Sequence, residues 1–354
     1  MTLRSRRGRD IDRNTVQDPS DIEVLCSLLR RKDGAGMDRV TSKTLAVAGQ
    51  HGLLPLVAQT LSTTRTGLLD EELEGLVHWV NRTSAAAELL LTSTTRELLD
   101  CLAEEHIDCL LLKGSALAHR YYDEPRLRPR TDVDLWIRPE QARDVIKILE
   151  ARDYTLVNHD RRRLTSRQFQ AKTEPVRGYP VTFDIHLAIS NRAVFRNALD
   201  FDACRETAQP LPTLGGAAPD APELLLHACF HRIAQGRNTQ GDRLIWIYDI
   251  HLLHGALDVR ARERFVQHAL ATGLGGTCAD GLRRSIEAFG TPVDPECLQT
   301  LKSRARSEPA TQLLNAGKWS WLWSDVRGET GWSRRARYLV EVLQNRAPVD
   351  RLTG

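Results

Sequence analysis

Leu111-Leu-Lys-Gly-Ser-Ala-Leu-Ala-His-Arg-Tyr-Tyr122, followed after a loop rich in proline and arginine by Asp132-Val-Asp-Leu-Trp-Ile137, is the stretch on which the fold turns. Ile107 to Leu112 is a short, almost continuous apolar run and reads as a buried strand. Lys113, Gly114 and Ser115 follow as a tight turn, and Ala116 to Tyr122 are good helix formers. In the second segment, alternation puts Asp132 and Asp134 on one face of a strand and Val133, Leu135 and Ile137 on the other. Further out, Pro139 begins a helix that runs to about Ala151, and Tyr154 to Val157 suits another strand. Tyr179 to Leu187 alternates again, with Asp184 and His186 opposite Val181, Phe183, Ile185 and Leu187. A third carboxylate therefore sits on a strand.

Both flanks read as helical. From Asp21 to about Glu105 apolar residues recur at three- and four-residue spacing, with Thr41, Ser42 and Asp70 placed as N-caps. After about Asp220 the same period predicts helices over Ala221–Ala234, Arg243–Leu253, Val259–Ala271 and Gly276–Ala288, with Pro222 near the start of the first and Gly236 past its end. The chain is thus expected to be α+β, a small mixed sheet between helices. It divides into a disordered basic tail over 1–20, a helical region over 21–106, a core over 107–215, a C-terminal helical domain over 216–345 and a frayed tail over 346–354. The tail carries Arg4, Arg6, Arg7, Arg9 and Arg13; a nucleic-acid contact arm is the functional alternative to a solvated end.

The totals bound the function. With 354 residues, 41% hydrophobic and 27% charged, the composition is that of a globular protein. A formal net charge of +3 lacks the basic excess of a dedicated nucleic-acid binder, so a polynucleotide substrate is allowed but not favoured. Seven cysteines without a Cys-x-x-Cys pair suit reduced thiols, and no apolar run or leader suggests a membrane or secretion. The expected address is the cytoplasm.

The chemistry lies in a combination of weak signals. A Gly-Ser turn at a helix mouth offers backbone N–H groups and a hydroxyl to an anion, although on its own it is an ordinary strand-to-helix turn. Asp132 and Asp134 alone read as a solvated pair; on an apolar-backed strand they repel, and a divalent cation with hard oxygen ligands, Mg2+ or Mn2+, resolves that repulsion. With Asp184 added, the set fits nucleotidyl transfer by two metals.

These residues also resemble a known family. Leu111 to Tyr122, Leu127 to Ile137 and Phe183-Asp-Ile-His-Leu187 are similar to the DNA polymerase beta nucleotidyltransferase superfamily, and more closely to a bacterial branch of largely uncharacterised nucleotidyltransferases. Leu224-Leu-Leu-His-Ala-Cys-Phe-His231 and Arg243-Leu-Ile-Trp-Ile-Tyr-Asp249 resemble the helical half of that branch. The resemblance covers roughly 52–253 and departs at Trp136, where an aliphatic residue is usual. It implies a nucleotidyltransferase core, phosphate contacts from Gly114 and Ser115, metal ligation by Asp132, Asp134 and Asp184, and a triphosphate contact from Arg128; Arg126 and Arg130 read as a solvated basic loop.

Lys113 is expected either to neutralise phosphate or to face solvent. His186 shares the face of Asp184, so it lines the cleft or makes a structural hydrogen bond. His227 and His231, one helical turn apart, could face the substrate, pack, or bind zinc. Trp246 and Tyr248 stack on a base or belong to the core. The expected reaction moves a nucleoside monophosphate from a nucleoside triphosphate to an unidentified small-molecule or peptide acceptor. The rivals are a nucleotide-binding or partner-binding regulator without turnover and a zinc hydrolase built on His186, His227 and His231.

Overall fold

The computed structural model describes residues 19–31, 39–63, 70–159, 164–174, 179–235 and 242–344. Of the expected basic tail only Pro19 and Ser20 lie within them, and these open helix α1 (Pro19–Arg31). The frayed C-terminus over 346–354 and the helix stop at Gly236 lie outside the described residues.

Three more helices precede the sheet: α2 (Ser42–Gln50), α3 (Leu54–Thr63) and the long α4 (Glu71–Glu104). Their starts follow from the expected caps. The Thr41 hydroxyl accepts a hydrogen bond from the Thr44 amide, and the Asp70 carboxylate accepts one from Leu73 at 2.9 Å, each satisfying an amide that the helix itself leaves open. The buried residues of α4, among them Leu73, Val77, Val80, Leu98, Leu99 and Leu102, recur at helical spacing and form the stripe that packs inward.

Strand β1 (Cys109–Leu111) leads through Leu112 into α5 (Lys113–Tyr121), and β2 (Asp132–Ile137) is followed by α6 (Ala142–Glu150). Strands β3 (Thr155–Val157), β4 (Gln168–Lys172) and β5 (Thr182–His186) complete a five-stranded mixed sheet in the order β1-β2-β5-β4-β3. Among the described residues the single parallel pairing joins β2 to β5 and puts Asp134 opposite Asp184 and Trp136 opposite His186. Strand β4, unmarked in the sequence reading, buries just Phe169 and Ala171 between polar residues, so its apolar signal is two side chains long.

Beyond the sheet, α7 (Phe201–Glu206) and a hairpin of β6 (Gln209–Leu211) and β7 (Gly216–Ala218) lead into α8 (Ala221–Gln235) and α9 (Leu244–Gly255). Then come α10 (Val259–Ala271), α11 (Gly275–Phe289), α12 (Pro295–Lys302), α13 (Pro309–Gln312), α14 (Lys318–Arg327) and α15 (Trp332–Gln344). One apolar core runs from Val24 of α1 through the sheet to Trp321 of α14. A small satellite cluster of Leu164, Val326 and Tyr338 fastens α15. Among the described residues no helix is long and apolar enough to cross a membrane.

Candidate active site

The site is assembled where β2 and β5 run side by side. Their parallel register forces Asp134 and Asp184 onto the same face at the same level, while Val133, Leu135, Phe183 and Ile185, all fully buried, anchor the opposite face. Asp132 lies two residues before Asp134 on its strand, and all three acids open into one cleft of about 490 Å³. Thus the three acids singled out in the sequence meet in one place.

Lys113 does not point to solvent. Its backbone is left-handed (φ 46°), an uncommon conformation for a residue with a Cβ, at the first position of α5. Its ammonium lies 2.5 Å from Asp134 Oδ1 and 3.3 Å from His186 Nε2. His186 Nε2 is in turn 2.8 Å from the same Asp134 oxygen and 3.7 Å from Asp184 Oδ2. Among the described residues Asp134, Asp184 and His186 form the one group of three or more donors close enough to share a metal ion. His227 and His231 are not part of it, which leaves the zinc-hydrolase rival without its ligand set.

The electrostatics follow from crowding. Burial and the neighbouring Asp134 charge push the Asp132 carboxyl up to about 6. Burial alone would raise Asp134 as well, but the Lys113 ammonium and His186 outweigh it and hold that carboxyl far below the usual range. Asp184 is raised, first by burial; His186 opposes this and Asp134 adds to it. Burial disfavours the Lys113 charge, yet Asp134 and Asp184 keep its ammonium bound more tightly than in water.

Gly114 and Ser115 occupy the first turn of α5, where backbone amides have no carbonyl within the helix. A Cβ on Gly114 would stand 3.3 Å from Cβ and 3.4 Å from Cδ of Arg130, so the glycine lets the arginine loop lie close against the helix mouth. Ser115 is buried, and its hydroxyl has no hydrogen-bond partner.

The three arginines between helix mouth and acids differ in ways the sequence did not show. Arg128 is buried and grips Asp249 of α9 through Nε (2.9 Å to Oδ1) and Nη2 (2.8 Å to Oδ2), while Nη1 donates to the Pro129 carbonyl. Tyr122 donates to the same Asp249 at 2.7 Å. Arg128 still lines the cleft, with one N–H on each terminal nitrogen uncommitted. Arg130, read from sequence as a solvated residue, is instead clamped by Glu88 of α4 at 2.7 and 2.9 Å. Arg126 ties Gln59 of α3 to Asn81 of α4. Neither belongs to a solvated basic loop.

The opposite wall comes from α8 and α9. His227 and His231 stack obliquely with ring centroids 5.5 Å apart, and Trp246 meets His231 edge-on at 5.9 Å. All three line the cleft. Burial, then the Lys113 charge, depresses His227 to about 3 and His231 well below its usual value, so both rings are neutral. Tyr248 lies in the core against Tyr122 and Phe289.

Sequence reasoning missed Asp249, Gln168 and Glu88. Gln168 donates to Asp184 Oδ2 at 2.7 Å and fixes that carboxylate from the neighbouring strand. Asp249 had a usable signal: it is the lone acid in the otherwise apolar or aromatic helix Leu244–Gly255, and a carboxylate buried there needs a cationic partner.

Strand-borne acids facing the first turn of a glycine-led helix are the framework of a nucleotidyltransferase. The sequence profile of a family described as uncharacterised nucleotidyltransferase matches residues 39–289, and the chain belongs to that family. No curated protein matches it. The matched span takes in the sheet, the helix mouth and both walls of the cleft, and the family as a class handles nucleoside triphosphates.

Proposed function

We propose that this protein transfers a nucleoside monophosphate from a nucleoside triphosphate to a hydroxyl acceptor, releasing pyrophosphate. The observation that carries the reading is the convergence of Asp132, Asp134 and Asp184 in one cleft with the mouth of α5. The residues fit a divalent cation: Asp134 and Asp184 bring carboxylate oxygens within reach of one ion, Asp184 Oδ1 is buried without a hydrogen-bond partner, and Asp132 lines the same cleft. Asp132, Asp134 and Asp184 would hold Mg2+ or Mn2+, which when bound supplies charge neutralisation of the triphosphate and of the departing pyrophosphate.

The chain's own groups divide the remaining work. The amides of Gly114 and Ser115 and the Ser115 hydroxyl receive phosphate oxygens at the positive end of α5. Lys113 and the free edge of Arg128 add cationic donors to the same anion. Asp184, raised by burial, accepts the proton of the attacking hydroxyl. His186 and His231, at the boundary of acids and helical wall, orient the acceptor by hydrogen bonding.

The test is incubation of the full chain with Mg2+, each labelled triphosphate in turn and a pool of cell metabolites and peptides. Release of pyrophosphate together with a labelled product supports the proposal. Tight nucleotide binding without pyrophosphate from any pool would instead assign the site to a nucleotide-binding regulator.

A further inference from the structure

A second chamber, about 250 Å³, lies behind the cleft and shares with it Lys113, His231 and Gln235, with His186 on its own side of that boundary. Resting on the transferase reading above, we propose that this chamber is the acceptor site and that it takes a neutral, hydroxyl-rich small molecule on the scale of one sugar ring.

Charge selects the class. Among the described residues no aspartate or glutamate lines the chamber. Among the described residues its two cations are each paired with an acid, Lys113 with Asp134 and Arg192 with Asp325 of α14 at 2.8 Å. With each of these cations balanced by an acid, the described lining carries no surplus charge that would favour an anionic or a cationic acceptor over a neutral one. Neutral amides and hydroxyls remain, Gln168, Ser190 and Asn191 among them, with Phe230 and Tyr338 as apolar surfaces. That mixture suits a molecule with hydroxyl edges and a carbon face. The volume falls below the ~300–1,000 Å³ of sites for drug-sized ligands, which limits the occupant to about one ring.

The chamber is also wired to the acids. Asn191 Nδ2 donates to Gln168 Oε1 at 3.1 Å, and Gln168 Nε2 donates to Asp184. A hydroxyl reaching through the shared boundary arrives beside the carboxylate that takes its proton. Its oxygen then bonds to the α-phosphorus, and the bond from that phosphorus to the bridging oxygen breaks with its electron pair leaving on pyrophosphate.

The closing wall is held by α14 and α15. Tyr338 of α15 lines the chamber, Asp325 holds Arg192 and the Ala193 amide, and Glu341 accepts hydrogen bonds from the Leu164 and Thr165 amides. These three residues lie outside the span 39–289 matched by the family. The cleft thus lies within the matched span, whereas the chamber is finished by helices beyond it.

Saturation-transfer NMR on the full chain checks this without turnover, using methyl glucoside and myo-inositol as neutral probes and glucosamine and an acetylated serine amide as competitors. The neutral polyols are expected to bind saturably. Ala234→Leu, which fills the chamber from α8 without entering the cleft, should weaken them about tenfold, the cost of one lost buried contact. Tyr338→Ala should shift preference toward a disaccharide, with circular dichroism confirming that both variants fold. Absence of polyol binding, binding indifferent to Ala234→Leu, or preference for the amine or the serine amide overturns the assignment. Polyol binding without pyrophosphate release in the separate transfer assay would sink the transferase reading and leave the chamber's ligand class standing.

Discussion

The two walls of the cleft are built on opposite principles. The strand wall concentrates charge: three carboxylates and one ammonium are held by parallel register, which fixes Asp134 against Asp184 to within one residue. The helical wall is neutral, with His227 and His231 stripped of charge by burial and by Lys113, and Trp246 beside them. Rigid pairing can hold like charges together where a mobile helix face would let them splay. The charged wall is thus suited to phosphate chemistry, and the neutral wall to shape and hydrogen bonding. The two are bolted together by Arg128, Tyr122 and Asp249, a buried cluster spanning the loop before β2 and α9.

Breaking the charged wall should have the largest effect. Asp134→Ala is expected to lower pyrophosphate release by about 10⁴-fold or more while the circular dichroism spectrum stays native; Asp132→Ala should do the same, and activity surviving in both variants would remove the site. Cutting the bolt comes next. Asp249→Ala leaves the Arg128 guanidinium buried and unpaired, so urea denaturation should show a loss of about 3–5 kcal/mol. A loss under about 1 kcal/mol would mean the walls are joined by apolar packing alone.

Glu88 supports the loop between the walls and gives a pH signature. Burial would raise its carboxyl, but hydrogen bonds from His119 and Arg130 outweigh this and lower it from 4.5 to about 2. A depressed acid stabilises the fold above its unfolded value and loses that contribution as pH falls through its folded value. Wild type should therefore exceed Glu88→Gln by on the order of 2 kcal/mol at neutral pH, with the gap closing between about pH 4.5 and 2. A gap independent of pH would point to shape rather than charge. The smallest effect belongs to the neutral wall: Trp246→Ala should weaken triphosphate binding by about 1 kcal/mol if the indole stacks on the base, and should leave the transfer step intact. Unchanged affinity for every triphosphate would return Trp246 to a packing role.

Local order along the chain made the chemical face legible. In Asp132–Ile137 and Thr182–His186 the period of two leaves no choice about which side chains share a face, so the acids could be grouped before any contact was known. Thr41 and Asp70 were readable as caps for the same reason, since a cap is satisfied by amides two or three residues away. Lys113 was open between phosphate and solvent because its direction depends on a left-handed backbone and on Asp134, 21 residues downstream. Arg126 and Arg130 looked solvated because the partners that tie them to α3 and α4 lie 42 or more residues away.

The sequence by itself determined that three carboxylates lie on strand faces and that a glycine turn opens a helix, because both follow from periodicities of a few residues. Only the tertiary structure decided that β2 and β5 are parallel neighbours, that Arg128 belongs to Asp249, and that α14 and α15 close a second chamber behind Lys113. Those outcomes depend on which distant surfaces bury one another, and packing of that kind is a property of the whole core rather than of any segment.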